Sequence, residues 1–225
     1  LEIIERLDEG QAVGRLSAEL EARLPAYGRV PLPPYIHEAL DEDERYQTLY
    51  SREPGSAAAP TAGLHFTDDV FTALEAKGVK RAFVTLHVGL DTFRPVTAQY
   101  AEDHVIHQEW CEIPAETVAA IRQARRQGGR VVAVGTTSAR TLETFGARIN
   151  DPNVATFEGL TSIYIMPSYE WQVVDAMVTN FHLPKSTLLL MMSSFAGRER
   201  LLDAYRHAIE ERYRFFSFGD AMFIS

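Results

Sequence analysis

The sequence predicts an α/β fold, a mixed and largely parallel sheet with flanking helices. Two observations carry this expectation. Between residues 67 and 213, stretches with helical spacing of apolar residues alternate with short apolar runs, the pattern of strands joined through crossover helices. The breaks between them hold helix punctuation: Gly78 and Gly128-Gly129 follow two of the helical stretches, and Pro114 opens another.

Taken in order, residues 1–27 have mixed character, with helical spacing near 18–24 and a turn expected at Pro25. Pro31-Leu-Pro-Pro34 follows; proline restricts its own φ and the residue before it, so an extended connector is expected there. Residues 28–225 are therefore read as the main α/β unit. Within it, residues 67–77 read as a helix with Thr67 as N-cap, followed by a strand over 81–86. A helix over 115–127 and a strand over 130–134 repeat the form, and a further helix spans 136–149. Strands over 162–165 and 173–179, helices over 186–195 and 198–213, and a last strand over 221–224 complete the expected order.

Composition narrows the class. With 225 residues and 46% hydrophobic content the chain can bury one sizeable core. No apolar run approaches the roughly 18 residues of a membrane span, so no membrane partner is expected and a cytoplasmic location is. The single cysteine, Cys111, excludes an internal disulfide, and no paired cysteines suggest a metal site. A net charge of -9 argues against a surface that coats nucleic acid indiscriminately, though not against a local basic patch.

Several segments carry polar residues that folding alone does not require. Ala59-Pro-Thr-Ala-Gly-Leu-His-Phe66 is a small-residue loop ahead of a helix, in which Thr61, Gly63 and His65 either approach a ligand or form a tight turn. Leu86-His-Val-Gly89 leaves a strand, and ligands of open α/β sheets sit at strand carboxyl ends, which marks His87, Gly89 and, further on, Phe93. His104, His107 and Glu109 suit hydrogen bonding to a polar substrate; no further residue completes a metal set at a recognisable spacing, so no metal is expected.

Val134-Gly-Thr-Thr-Ser138 is a strand, a glycine turn and a helix start. Its free N–H groups and the hydroxyls of Thr136, Thr137 and Ser138 suit an anion or sugar hydroxyls, or simply cap a helix in which Arg140 pairs with Glu143. In Thr179-Asn-Phe-His-Leu-Pro-Lys-Ser186, Asn180, His182 and Lys185 leave a strand together while Ser186 caps the next helix, more polar function than a turn needs. Near the end, Arg214, Phe216 and Asp220 stand among aromatic residues, where core packing competes with contacts to a base or a phosphate.

These segments, in this order, closely resemble one family. Pro31-Leu-Pro-Pro-Tyr-Ile36, Tyr46-Gln-Thr-Leu-Tyr50, Ala59 to Phe66, His87-Val-Gly89, Gly135-Thr-Thr-Ser138, Thr179 to Thr187, Tyr213-Arg-Phe-Phe216 and Gly219-Asp-Ala-Met222 match the S-adenosylmethionine:tRNA ribosyltransferase-isomerases of queuosine biosynthesis. The pattern departs at Asp91 and Ser168, where the family usually has glycine. The resemblance implies that residues 1–27 are the remnant of an inserted β-barrel domain, that 28–225 are the catalytic domain, and that the family's N-terminal portion, with its Asn-Asn-Thr-Arg stretch, is absent.

The resemblance also implies a reaction. S-adenosylmethionine serves as ribosyl donor, a co-substrate, and no cofactor is needed; the acceptor is 7-aminomethyl-7-deazaguanine at the wobble position of tRNA, and adenine and methionine leave as epoxyqueuosine forms. A monomer is expected. A sulfonium acidifies the neighbouring 5′ carbon, so a histidine, His182 or His87, suits the role of base. Asn180 and the turn at 135–138 would hold ribose or the methionine carboxylate, with Lys185 or Arg140 supplying positive charge. An aromatic ring such as Phe216 or Phe93 would receive the unstacked base. The principal rival is a non-catalytic tRNA- or S-adenosylmethionine-binding remnant; a metal-dependent hydrolase built on His104, His107 and Glu109 ranks below it.

Overall fold

A computed structural model describes residues 1–6, 12–27, 31–38, 40, 42–89 and 98–225. The chain begins with an antiparallel hairpin, β1 (Glu2–Arg6) and β2 (Ala12–Arg15), and a helix, α1 (Ala18–Tyr27), that runs through Pro25 rather than turning there. The described N-terminal residues thus form an antiparallel strand pair and a helix.

Among the described residues the main unit holds two three-stranded sheets. The first runs β3 (Thr85–His87), β4 (Glu109–Ile113), β6 (Phe157–Thr161), all antiparallel. The second runs β5 (Val132–Val134), β7 (Ala176–Asn180), β8 (Ala221–Ile224), with β5 and β7 parallel and β8 antiparallel. The expectation of a largely parallel sheet is therefore corrected: the strand pairings among the described residues are antiparallel except β5 with β7. Only that pair is joined by a helix-bearing crossover that brings the second strand back in the same direction.

The helices form where caps and apolar spacing agree. Thr67 caps α2 (Asp68–Ala76) by accepting from the Val70 N–H, and Gly78 follows at φ +75°. Helix α3 (Ala115–Arg126) starts after Pro114, and α4 (Thr136–Phe145) buries Ala139, Leu142 and Phe145 at three-residue spacing. The helix expected over 136–149 is broken at Gly146, whose φ of +38° diverts the backbone into a short 3₁₀ segment, Gly146–Asn150. Helix α5 (Thr187–Ala196) is apolar nearly all round and packs on α6 (Arg198–Glu210).

Ile113, Val118, Leu142, Phe145, Met177, Met192 and Leu201 belong to one core cluster shared by the sheets and α3 to α6. Full burial of each such side chain contributes about 1.5–3 kcal/mol. The sequence reading missed β1, β2 and β4 and set β6 some residues late, at 162–165. Strand β4 was hidden because its inward face, Glu109, Cys111 and Ile113, begins with a carboxylate.

Ser168 occupies a turn whose geometry favours glycine. The Tyr169 N–H donates to the Met166 carbonyl at 3.0 Å, Pro167 takes the second position, and Ser168 the third at φ +82°. This is a type II turn, whose third residue favours glycine because a Cβ is strained at positive φ.

Candidate active site

The parallel pair ends on one side, and the candidate site is built at those ends. Strand β5 leads into Gly135 and strand β7 ends at Asn180, so two loops leave the sheet next to one another. The Gly135 N–H donates to the Val178 carbonyl at 2.8 Å, which ties the loops together, and its φ of +90° suits glycine. Opposite them, the 3₁₀ segment Thr61–His65 packs against β7. A cavity of about 960 Å³ opens between these elements, the ends of β3 and β4, and the start of α5. That is at the upper end of the range usual for small-molecule sites, about 300–1,000 Å³.

Asn180, only 4% exposed, is held from both ends of its amide. Thr61 Oγ1 donates to its Oδ1 at 3.2 Å, and its Nδ2 donates to His65 Nε2 at 3.0 Å. Neutral His65 in this arrangement carries its proton on Nδ1. Burial lowers the His65 pKa, which Asp220 raises and Arg214 lowers by smaller amounts. Thr61 lines the cavity, whereas His65 stands behind Asn180.

His182 lines the cavity and shares a 2.7 Å hydrogen bond between its Nε2 and Thr179 Oγ1. Its main-chain N–H donates to the Tyr205 hydroxyl at 2.7 Å. Burial pushes the imidazole pKa down to about 4, so the ring is neutral at pH 7. Lys185, exposed and at φ +56°, and Ser186, which caps α5 by accepting from the Leu189 N–H, line the same cavity.

On the opposite wall, Glu109 is 7% exposed and accepts the Gly89 N–H at 3.0 Å through Oε1, while Oε2 pairs with Arg140. Arg140 also donates to the carbonyls of Ile163, at 3.2 Å, and His107, at 3.3 Å. The local pairing of Arg140 with Glu143 does not form. Glu143 instead accepts the main-chain N–H groups of Gln172, Val173 and Val174 and the Tyr169 hydroxyl, bracing the loop before β7. Behind Glu109, burial raises the Cys111 thiol pKa to about 11, which leaves it a packing residue.

Thr61, Gly89, His104, His107 and Glu109 are brought together on the cavity wall. Gly135, Thr136, Thr137, Arg140 and Thr179 join them, as do Asn180, His182, Lys185, Ser186 and Phe216. His87 is not among the lining residues. Its neighbours Leu86 and Val88 face the cavity, and alternation along an extended chain turns His87 to the other side. There its ring stacks on Trp110, centroids 4.8 Å apart, with Nδ1 buried and unpartnered among the described residues.

Gly63, Ser138, Arg214 and Asp220 also lie off the wall. Gly63 serves packing, since a Cβ there would overlap the Tyr50 hydroxyl and come within 2.8 Å of Thr48 Cγ2. Arg214 and Asp220 pair with each other at 2.8 Å, which lowers the Asp220 pKa, and Asp220 also accepts the Arg214 N–H. Phe93 and Asp91 lie outside the described residues. Among the described residues, no cluster of three or more His, Cys, Asp or Glu is arranged for a metal, and His104 lies against the edge of Tyr164.

The residue reading missed Tyr35, Tyr46 and Ser217, which also line the cavity. The Tyr35 and Ser217 hydroxyls are 2.7 Å apart, and the Tyr35 ring packs on Phe216, itself at φ +71°. The signal was present in the Pro31-Leu-Pro-Pro-Tyr35 run, where a rigid connector ends on an aromatic donor.

A family model described as queuosine biosynthesis protein matches residues 1–224. The chain belongs to this family. Among solved structures it is similar to the S-adenosylmethionine tRNA ribosyltransferase of Thermotoga maritima, with 47% identity and a TM-score of 0.61. The match covers 73% of this chain and 51% of that one, so the chain spans about half the length of the structure it matches. No described helix is long and apolar enough to cross a membrane.

Proposed function

We propose that this queuosine-family chain carries the catalytic unit of an S-adenosylmethionine:tRNA ribosyltransferase-isomerase. It transfers the ribosyl moiety of S-adenosylmethionine to the aminomethyl group of 7-aminomethyl-7-deazaguanine in tRNA. It then rebuilds that moiety into the epoxycyclopentane of epoxyqueuosine, and adenine and methionine leave. The observation that carries the reading is the convergence of neutral His182, doubly anchored Asn180 and the Gly135 turn on one nucleoside-sized cavity.

The electrostatics suit a sulfonium. A charged imidazole would repel the substrate, whereas burial keeps His182 uncharged; with Nε2–H donating to Thr179 Oγ1, the Nδ1 lone pair is the one that takes the proton. His182 is accordingly the base that takes a proton from the 5′ carbon; the electron pair left there is stabilised by the adjacent sulfur and initiates adenine loss. Asn180, fixed by Thr61 and His65, orients the ribose, and Phe216 with Tyr35 offers an aromatic face to the tRNA base. The reading carries with it a monomer acting in the cytoplasm, without a cofactor.

The test is adenine release from S-adenosylmethionine by this chain. Release that requires tRNA carrying the aminomethyl-deazaguanine supports the reading. Binding of S-adenosylmethionine or tRNA with no adenine released in any combination favours a non-catalytic binding remnant.

A further inference from the structure

The cavity offers a ligand carboxylate three positive partners: the guanidinium of Arg140, the ammonium of Lys185, and the N-terminus of α4. We infer that the N-terminus of α4 together with the Thr136 hydroxyl is the subsite for the amino-acid carboxylate of the sulfonium substrate, and that Arg140 is not. The inference rests on the ribosyltransferase reading.

Helix α4 has ten residues, its N-cap is Gly135 with no side chain to cap it, and its first turn has no acidic residue. The first N–H groups of such a helix have no partner within it. An independent observation at the same place points to a ligand. Thr136 is 8% exposed and lines the cavity, yet its hydroxyl makes no hydrogen bond among the described residues. Two other threonines of α4 satisfy themselves on the helix, Thr141 on the Thr137 carbonyl at 3.0 Å and Thr144 on the Arg140 carbonyl at 2.8 Å. Thr136 is the first residue of the helix, and the residue four before it lies in β5, so that solution is closed to it. A carboxylate placed there accepts main-chain N–H groups and the hydroxyl together.

The two cations are less suited. Arg140 is already compensated by Glu109, and its remaining donors go to the Ile163 and His107 carbonyls. A second carboxylate beside it would meet the charge of Glu109. Lys185 is exposed, where solvent and salt screen its attraction.

Equilibrium binding of S-adenosylmethionine and of decarboxylated S-adenosylmethionine to the same chain tests this. The wild-type chain should prefer the carboxylated compound by on the order of tenfold. Thr136→Val should weaken S-adenosylmethionine by about tenfold and change the decarboxylated compound less than about twofold, so that the preference collapses. Thr136→Ser, which keeps the hydroxyl, should retain it, and an unchanged melting temperature in both variants excludes a folding defect. A preference that survives Thr136→Val but collapses in Lys185→Ala or Arg140→Gln overturns the subsite. So does a wild-type chain that binds both compounds equally. A wild-type chain that binds neither overturns the ribosyltransferase reading as well.

Discussion

Two strand exits carry a histidine, and they end differently. At the β7 exit, Thr179, Asn180 and His182 reach the cavity and are hydrogen-bonded to one another or to residues around it. At the β3 exit, Leu86, Val88 and Gly89 reach the cavity while His87 stacks on Trp110 on the other face. Both histidines stand at the ends of short strands, so proximity to a strand end does not select the one that lines the cavity. Parity decides at β3, where register turns His87 away from the cavity, whereas at β7 the consecutive residues Thr179, Asn180, Phe181 and His182 all line it. In β3 that register pairs His87 with Trp110 of β4.

The largest effect that can break this comparison is on rate. His182→Ala should lower adenine release roughly 100-fold or more, the usual range for loss of a general base. His87→Ala should stay within about threefold, since it removes no group facing the cavity. Equal losses in the two variants, with folding intact, would return His87 to the site.

The next effect is on stability at the opposite wall. Arg140→Met leaves the Glu109 carboxylate buried without its counter-charge, at a cost of about 3–5 kcal/mol. Urea unfolding measures it, and adding Glu109→Gln should recover part of the loss. An Arg140→Met chain as stable as wild type would mean that the pair does not hold β4 against α4.

A pH effect sharpens the contrast between the two exits. The folded-state pKa of His182 is pushed down to about 4, below the ordinary value of 6.5. A depressed pKa stabilises the folded chain above the unfolded value and loses that contribution as pH falls through the folded one. Melting temperature should therefore drop more steeply between pH 6.5 and pH 4 in the wild type than in His182→Ala. Parallel slopes would show that burial does not perturb this ring.

The smallest effect tests the turn away from both exits. Ser168→Gly relieves a Cβ at φ +82° and should stabilise by about 0.5–1 kcal/mol, read as a small rise in the urea midpoint. A destabilised Ser168→Gly chain would contradict the type II assignment.

What was legible in the sequence follows the same division between local and non-local causes. The Gly135 turn, the Thr67 and Ser186 caps and the polar loop after β7 are local chemistry, and the structure forms each where the residues suggest. The antiparallel sheet β3-β4-β6, the inward carboxylate of Glu109 and its pairing with Arg140, 31 residues away, depend on strand pairing that no window of sequence contains. The i,i+3 pairing of Arg140 with Glu143 is a sound local expectation that tertiary partners displace: Arg140 finds a buried carboxylate and Glu143 finds three main-chain N–H groups. The cavity opens at the carboxyl ends of β5 and β7, the parallel pair, where open α/β sheets place their ligands, although most of the sheet structure is antiparallel.

A crystal structure of the chain with S-adenosylmethionine tests the central claim most directly. The sulfonium should lie in the cavity with its 5′ carbon facing His182, at roughly 3–3.5 Å, and its ribose against Asn180. Density for the ligand on the His87 and Trp110 face, with the cavity at Asn180 and His182 empty, would contradict it.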